Sequence, residues 1–167
     1  MSKLSNTIRL TGAAVGAGAA MLFSMSPATA ASVRKEFVID ADPAFVWAAL
    51  KDFGHVDRRL ARGFVVAARL EGDTRIVTFA NGSTARELLV AVDEEQRRLA
   101  YAIVGNERLI AHSASAQAFA KGRKKTRFVW ISDFLPDELA PYISAQMEQG
   151  AAAAKKTIEE DARAAAR

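Results

Sequence analysis

Residues 74–92 read TRIVTFANGSTARELLVAV, two runs rich in β-branched, aromatic and aliphatic side chains separated by Asn81-Gly82. Asn-Gly between extended runs is a strong hairpin signal, because a type I′ turn needs positive φ at both central positions. Two antiparallel strands are therefore expected, at 74–80 and 84–92. The same texture continues on both sides, with strands expected at 64–70, 98–104, 109–119 and 125–133. Glu71-Gly72-Asp73, Asp93-Glu94-Glu95-Gln96, Gly105-Asn106 and Lys121-Gly122 stand between them as turns. Short turns in succession imply an antiparallel meander of six strands, since parallel strands need longer crossovers.

Upstream, residues 33–39 alternate Val33, Lys35, Phe37 and Ile39 with Arg34, Glu36 and Val38, which predicts a seventh strand. Asp42 is a good N-cap and Pro43 suits a first helical position, so a helix is expected to follow. Val46, Leu50 and Phe53 share one face of it, with Trp47 beside them. A short helical turn is expected through residues 56–60. Downstream, Pro136-Asp137-Glu138 leads into Leu139, Ile143, Met147, Ala151, Ala154 and Ile158, an apolar stripe at helical spacing. Pro141 marks either the helix start or a kink in its first turns, and the tail from Asp161 is expected to fray. A meander with one apolar face needs a cover, and this helix is the one long amphipathic element available. The fold class is α+β, with a space between sheet and helix where a ligand would sit.

Several short motifs sit in a suggestive order. They are Ile39-Asp40-Ala41-Asp42-Pro43, Val46-Trp47 and Asp52-Phe53, then Arg86-Glu87-Leu88-Leu89 and Arg97-Arg98-Leu99-Ala100-Tyr101, then Phe128-Val129-Trp130 and Asp133-Phe134-Leu135-Pro136. In that order and spacing the chain resembles the START-like, Bet v 1-like (SRPBCC) superfamily, in particular its bacterial polyketide cyclase/dehydrase and lipid-transport group. The resemblance runs from about Val33 to Glu160. It implies a helix-grip fold, a seven-stranded antiparallel sheet wrapped around a long C-terminal helix with a hydrophobic cavity between them. It does not imply one chemistry, because fold and function separate in such families.

The first thirty residues read as a leader. Lys3 and Arg9 precede an apolar stretch from Leu10 to Phe23, and Ala28 and Ala30 occupy the small-residue positions of a cleavage site, so a signal peptide of residues 1–30 is expected. A retained membrane anchor is the alternative, though the apolar run is short for a span. The whole chain has 167 residues and a formal net charge of +4. Removing the leader leaves 137 residues with 21 basic groups against 19 acids, too near neutrality to point to a polyanion. That is one domain, residues 31–167, of a size that buries a real core. There is no Cys, so disulfides, thiol lipidation and thiol chemistry are excluded. A periplasmic or secreted location follows as an expectation.

Candidate chemistry is sparse. His55 and His112 lie far apart, and no ligand spacing suggests a metal. No cofactor motif appears, neither a phosphate-cradling glycine loop nor a nucleophile elbow. In the strand at 109–119 the even positions Ile110, His112, Ala114, Ala116 and Ala118 face one side. The odd positions, with Ser113, Ser115 and Gln117, face the other. If the even set faces the cavity, His112 is a lone polar group fit to orient a ligand or move a proton. If the odd set does, the serines and Gln117 line it. Glu87 is either a cavity carboxylate or paired with an arginine on a neighbouring strand. Tyr101 and Trp130 occupy strand centres and suit either core or cavity wall.

His112, Glu87 and Tyr101 are the candidate acid/base groups. Trp47, Glu87, Tyr101, His112, Gln117, Trp130, Ile143 and Met147 are the candidate ligand-cavity residues. Lys121, Arg123, Lys124, Lys125 and Arg127 cluster on a hairpin turn and read as a solvated loop, not a nucleic-acid surface. The leading expectation is an exported, non-enzymatic binder of a hydrophobic or amphipathic small molecule, lipid- or polyketide-like. A cyclase/dehydratase-type enzyme and a protein-interaction module are the alternatives.

Overall fold

The computed structural model describes residues 29–167, so the leader expected over residues 1–30 lies almost wholly outside the described residues. From Ala31 the chain forms β1 (Ala31–Ile39), α1 (Pro43–Lys51), a single 3₁₀ turn (Phe53–His55) and α2 (Val56–Arg59). The meander follows as β2 (Val65–Glu71), β3 (Thr74–Phe79), β4 (Thr84–Asp93), β5 (Arg98–Val104), β6 (Ala111–Ala120) and β7 (Thr126–Leu135). A second 3₁₀ turn (Asp137–Leu139) leads into α3 (Ala140–Ala165). All seven strands pair antiparallel in the order β1-β7-β6-β5-β4-β3-β2, so β1 closes onto the last strand of the meander. This is the α+β helix-grip fold.

Local chemistry explains where the elements begin. Asp42 Oδ1 accepts the Ala44 N–H at 2.8 Å, and Pro43 occupies the first turn of α1, where its missing N–H costs nothing. The Asn81-Gly82 hairpin differs from the expected type I′ turn. Gly82 has a φ of +82°, but Asn81 stays out of the left-handed region. Asn81 Oδ1 instead accepts from the Ser83 N–H and hydroxyl at 3.0 and 2.7 Å. The Asn side chain thus organises a longer loop, over residues 80–83, in place of a two-residue turn. The C-terminal tail is also more regular than expected, since α3 continues as helix to Ala165. Arg62 reaches across from the α2–β2 connection to Asp161 at 2.8 Å and to the Thr157 carbonyl at 3.3 Å, holding that last stretch down.

Two tethers and a core fix α3 over the sheet. Lys155 donates to the Val38 carbonyl and to Glu159, while Lys35 donates to Glu148 at 2.7 Å. Just beyond the Lys155 tether Ile39 and Ile158 are fully buried, each contributing roughly 1.5–3 kcal/mol of apolar transfer. On β6 the even positions point inward. Ala114, Ala116 and Ala118 are buried in one cluster with Val46, Trp47 and Leu50, so the alanine row is chiefly a seat for α1. The small side chains let a helix approach the sheet closely. α1 packs at the end of the sheet where β1 runs out and β7 begins. The β3–β4 loop, the β5–β6 loop and the start of α3 gather at the other end.

Candidate functional site

A cavity of about 340 Å³ lies between the inner sheet face and α3. Its floor is formed by Leu50, Val56, Leu60 and Ala61 from α1, α2 and the connection after them. Inward residues of the strands make one wall, among them Phe79, Val77, Leu99, Phe128 and Trp130. The i, i+3 and i+4 positions of the C-terminal helical segment, Leu139, Ile143, Met147, Gly150 and Ala154, make the other. Asn106, Arg108, Leu109, Ser83, Thr84 and Tyr142 rim the loop end. There Arg108 stacks 5.7 Å from the Tyr142 ring centroid, at residues exposed to solvent.

Gly150 controls how closely α3 approaches this wall. A Cβ there would stand 3.0 Å from Cζ3 of Trp130 and 3.1 Å from Cε1 of Phe64. Both rings line the cavity. The missing side chain therefore lets two aromatic rings pack under the helix without leaning into the space beside it.

Polar groups enter this apolar chamber in two sets. The first is an ion pair between Arg75 on β3 and Glu87 on β4, which face each other in the ladder and are only 7% and 6% exposed. Arg75 Nη1 also donates to the Phe53 carbonyl at 3.1 Å, and the guanidinium lies 4.0 Å from the Phe53 ring centroid. The carboxylate is bonded through Oε2, while Oε1 meets no donor among the described residues. Thus the cross-strand arginine considered for Glu87 is Arg75. Its neighbour Arg86 points to the outer face and reaches Glu71.

The second set spans β5, β6 and β7. Tyr101 O accepts the Trp130 indole N–H at 3.2 Å. Burial, and after it the Glu87 charge, raises the Tyr101 pKa well above the usual phenol value, so the hydroxyl keeps its proton. His112 Nδ1 accepts the Ile103 backbone N–H at 2.9 Å, and Nε2 lies 3.0 Å from Ser132 Oγ. A nitrogen that accepts a backbone N–H carries no proton, so Nε2–H donates to Ser132. Burial lowers the His112 pKa to about 4, with Asp133 opposing weakly, and the ring is neutral.

The cavity thus brings together Glu87, Tyr101, His112, Trp130, Ile143 and Met147 from the sequence expectation. Two residues depart from it. Gln117 is on the odd face of β6, turned away from the cavity, and its side-chain amide donates to the Gln96 carbonyl at 2.9 Å. Trp47 lies under α1 in the core, its indole N–H donating to Glu94 at 2.6 Å. That bond, with Lys51, holds the Glu94 carboxyl below its ordinary range. His55 is outside the site and bonds Asp52 at 2.7 Å. In the basic hairpin cluster, Lys125 pairs with Asp40 and Arg127 with Glu36. No group of three or more His, Cys, Asp or Glu residues is placed to hold a metal among the described residues.

Arg75, Ser132 and Gly150 were not singled out from sequence. The parity of β7 carries a signal for Ser132, since Thr126, Phe128, Trp130 and Phe134 share its face. Arg75 becomes visible only once the β3–β4 register is known.

Residues 30–165 match the family model described as polyketide cyclase / dehydrase and lipid transport. No curated protein matches the chain. Among solved structures, an uncharacterised protein from Bacillus thuringiensis is similar with a TM-score of 0.70 at 16% identity, over 77% of this chain and 98% of that one. The protein XoxI from Bacillus cereus gives 0.68 at 16% identity, covering 82% and 99%. Norcoclaurine synthase from Thalictrum flavum, in complex with dopamine and hydroxybenzaldehyde, gives 0.65 at 14% identity, covering 93% and 98%. At these identities the likeness is one of fold.

Proposed function

Since the chain belongs to the polyketide cyclase / dehydrase and lipid transport family, we propose that it is a carrier or receptor for a small hydrophobic or amphipathic molecule, exported to the bacterial envelope. The observation that carries this reading is the apolar cavity of about 340 Å³, which side chains leave unfilled. Ligand pockets of this kind are apolar chambers with a few placed polar groups. Export rests on the leader-like residues 1–30. It is supported by the family match beginning at residue 30 and the first strand at Ala31, just past the expected cleavage point.

The same geometry weighs against His112 as a general base. Its Nδ1 accepts the Ile103 backbone N–H and its Nε2–H is given to Ser132, so neither nitrogen is free. A general base needs a free, correctly protonated atom within reach of substrate. Native mass spectrometry of protein purified from its own envelope tests the binding reading, with a fluorescent apolar probe as the second arm. A co-purifying small molecule that competes with the probe is expected. A protein that carries no ligand and takes up no probe would overturn it.

A further inference from the structure

The polarity of the two hydroxyls inside the cavity, Tyr101 and Ser132, specifies what kind of ligand group they meet. A hydroxyl has one proton to give and lone pairs with which to accept. Tyr101 accepts from the Trp130 indole, an obligate donor, so that bond can run in one direction only. Ser132 accepts from Nε2–H of His112, and the direction of this bond is fixed by the Ile103 N–H that occupies Nδ1. Each hydroxyl has thus spent acceptor capacity on its protein neighbour. Among the described residues no group takes the proton of either, although both residues are buried, at 7% and 3% exposed. Both line the cavity.

A buried donor without an acceptor is costly, and native interiors seldom leave one. The missing acceptor belongs to whatever fills the space. Its charge is constrained as well. The two charged groups deep in the cavity, Arg75 and Glu87, are paired with each other, and His112 is neutral. An anion placed beside the hydroxyls would be buried near the Glu87 carboxylate without a cation of its own.

We infer that the cavity selects an uncharged ligand bearing a carbonyl-type oxygen, which accepts hydrogen bonds from the Tyr101 and Ser132 hydroxyls, while the rest of the molecule is apolar. This rests on the cavity being a ligand site, as proposed above. His112 is then a positioning residue. It orients the Ser132 proton toward the ligand and need not touch it.

Matched probes separate the two ideas. 9-Fluorenone and fluorene share one rigid shape and differ by a carbonyl oxygen, and fluorene-9-carboxylate adds a charge. Affinities measured by titration calorimetry on the full chain should rank ketone over hydrocarbon by about three- to tenfold, with the carboxylate weakest. Tyr101→Phe should remove most of that preference, read as the ratio of ketone to hydrocarbon affinity within the same variant, so that any change in the cavity wall common to both probes cancels. Ser132→Ala should reduce the preference by a smaller factor, and should do so even if Tyr101→Phe fails to fold. Equal binding of ketone and hydrocarbon would overturn the inference while keeping the cavity as a ligand site. So would a carboxylate that binds best, or a ketone preference surviving in both variants. Failure of all three probes to bind would overturn both readings.

Discussion

His112 stands opposite Ile103 at the point where β5 and β6 part, and its imidazole takes the hydrogen bond that a paired strand would have taken. Ladder pairing between the two strands ends at Tyr101 and Ala114. Two residues further on in the same register Ile103 would face His112, and its N–H goes to Nδ1 at 2.9 Å. The side chain thus caps the open end of the sheet and at the same time turns Nε2–H toward Ser132 inside the cavity.

This arrangement makes the fold acid-sensitive in a definite window. The folded His112 pKa is about 4, against roughly 6.5 for an unfolded histidine. Between those values the unfolded chain binds the extra proton, so stability rises with pH across the window. The contribution is complete above pH 6.5 and is lost as pH falls toward 4. Urea unfolding at pH 5 and pH 7.5 should show a loss of about 1–2 kcal/mol at the lower pH, allowing for the partial exposure of the ring. His112→Gln should lack this loss. Equal pH dependence in the two proteins would refute the assignment.

The buried Arg75–Glu87 pair should respond asymmetrically to mutation. Glu87→Leu leaves a guanidinium buried against Phe53 and Tyr101 without its counter-charge, at a cost of about 3–5 kcal/mol. The double variant Arg75→Met with Glu87→Leu should recover much of that loss, because paired apolar replacements of similar volume are often neutral. Denaturant titrations of the two single variants and the double variant measure the coupling. Additive losses would mean that the two side chains are independent.

Gly150→Ala sets two effects against each other. Alanine is favoured over glycine inside a helix by about 1 kcal/mol. Its Cβ, however, crowds Trp130 and Phe64 at 3.0 and 3.1 Å, and the rings must move by a few tenths of an ångström toward the cavity. Thermal unfolding should therefore change little, while affinity for an apolar probe falls severalfold. A probe affinity equal to wild type would show that the rings do not move into the binding space.

Export has a direct readout in mass. Protein recovered from the envelope should begin at Ala31, because Ala28 and Ala30 present the small side chains that a signal peptidase accepts. Intact-mass measurement decides between this and a full-length chain retained through its apolar N-terminal segment.

Period-two and period-3.6 patterning are local, and they were enough to reveal seven strands, the capped first helix and the long C-terminal one. Asp42-Pro43 marks the start of α1 by side-chain chemistry alone, and Arg98–Val104 is a strand from first residue to last. Patterning was weaker where both faces of a strand carry small or polar groups. On β6 alternation separates His112 from Gln117 but does not say which side is covered, and the burial of Ala114, Ala116 and Ala118 under α1 decides it. The same limit applies to Trp47, whose apolar ring serves core and cavity wall equally well in sequence terms. Its place was settled by where α1 seats on the sheet and by the bond to Glu94. Arg75 with Glu87, Tyr101 with Trp130 and His112 with Ser132 are each pairs separated by 12 to 29 positions. Such pairs are products of strand register, a property of the assembled sheet. The sequence by itself therefore determined the elements and the presence of a covered sheet face. The tertiary structure alone decided which polar groups enter the cavity and which way their protons point, because those depend on partners that only folding brings within hydrogen-bonding distance.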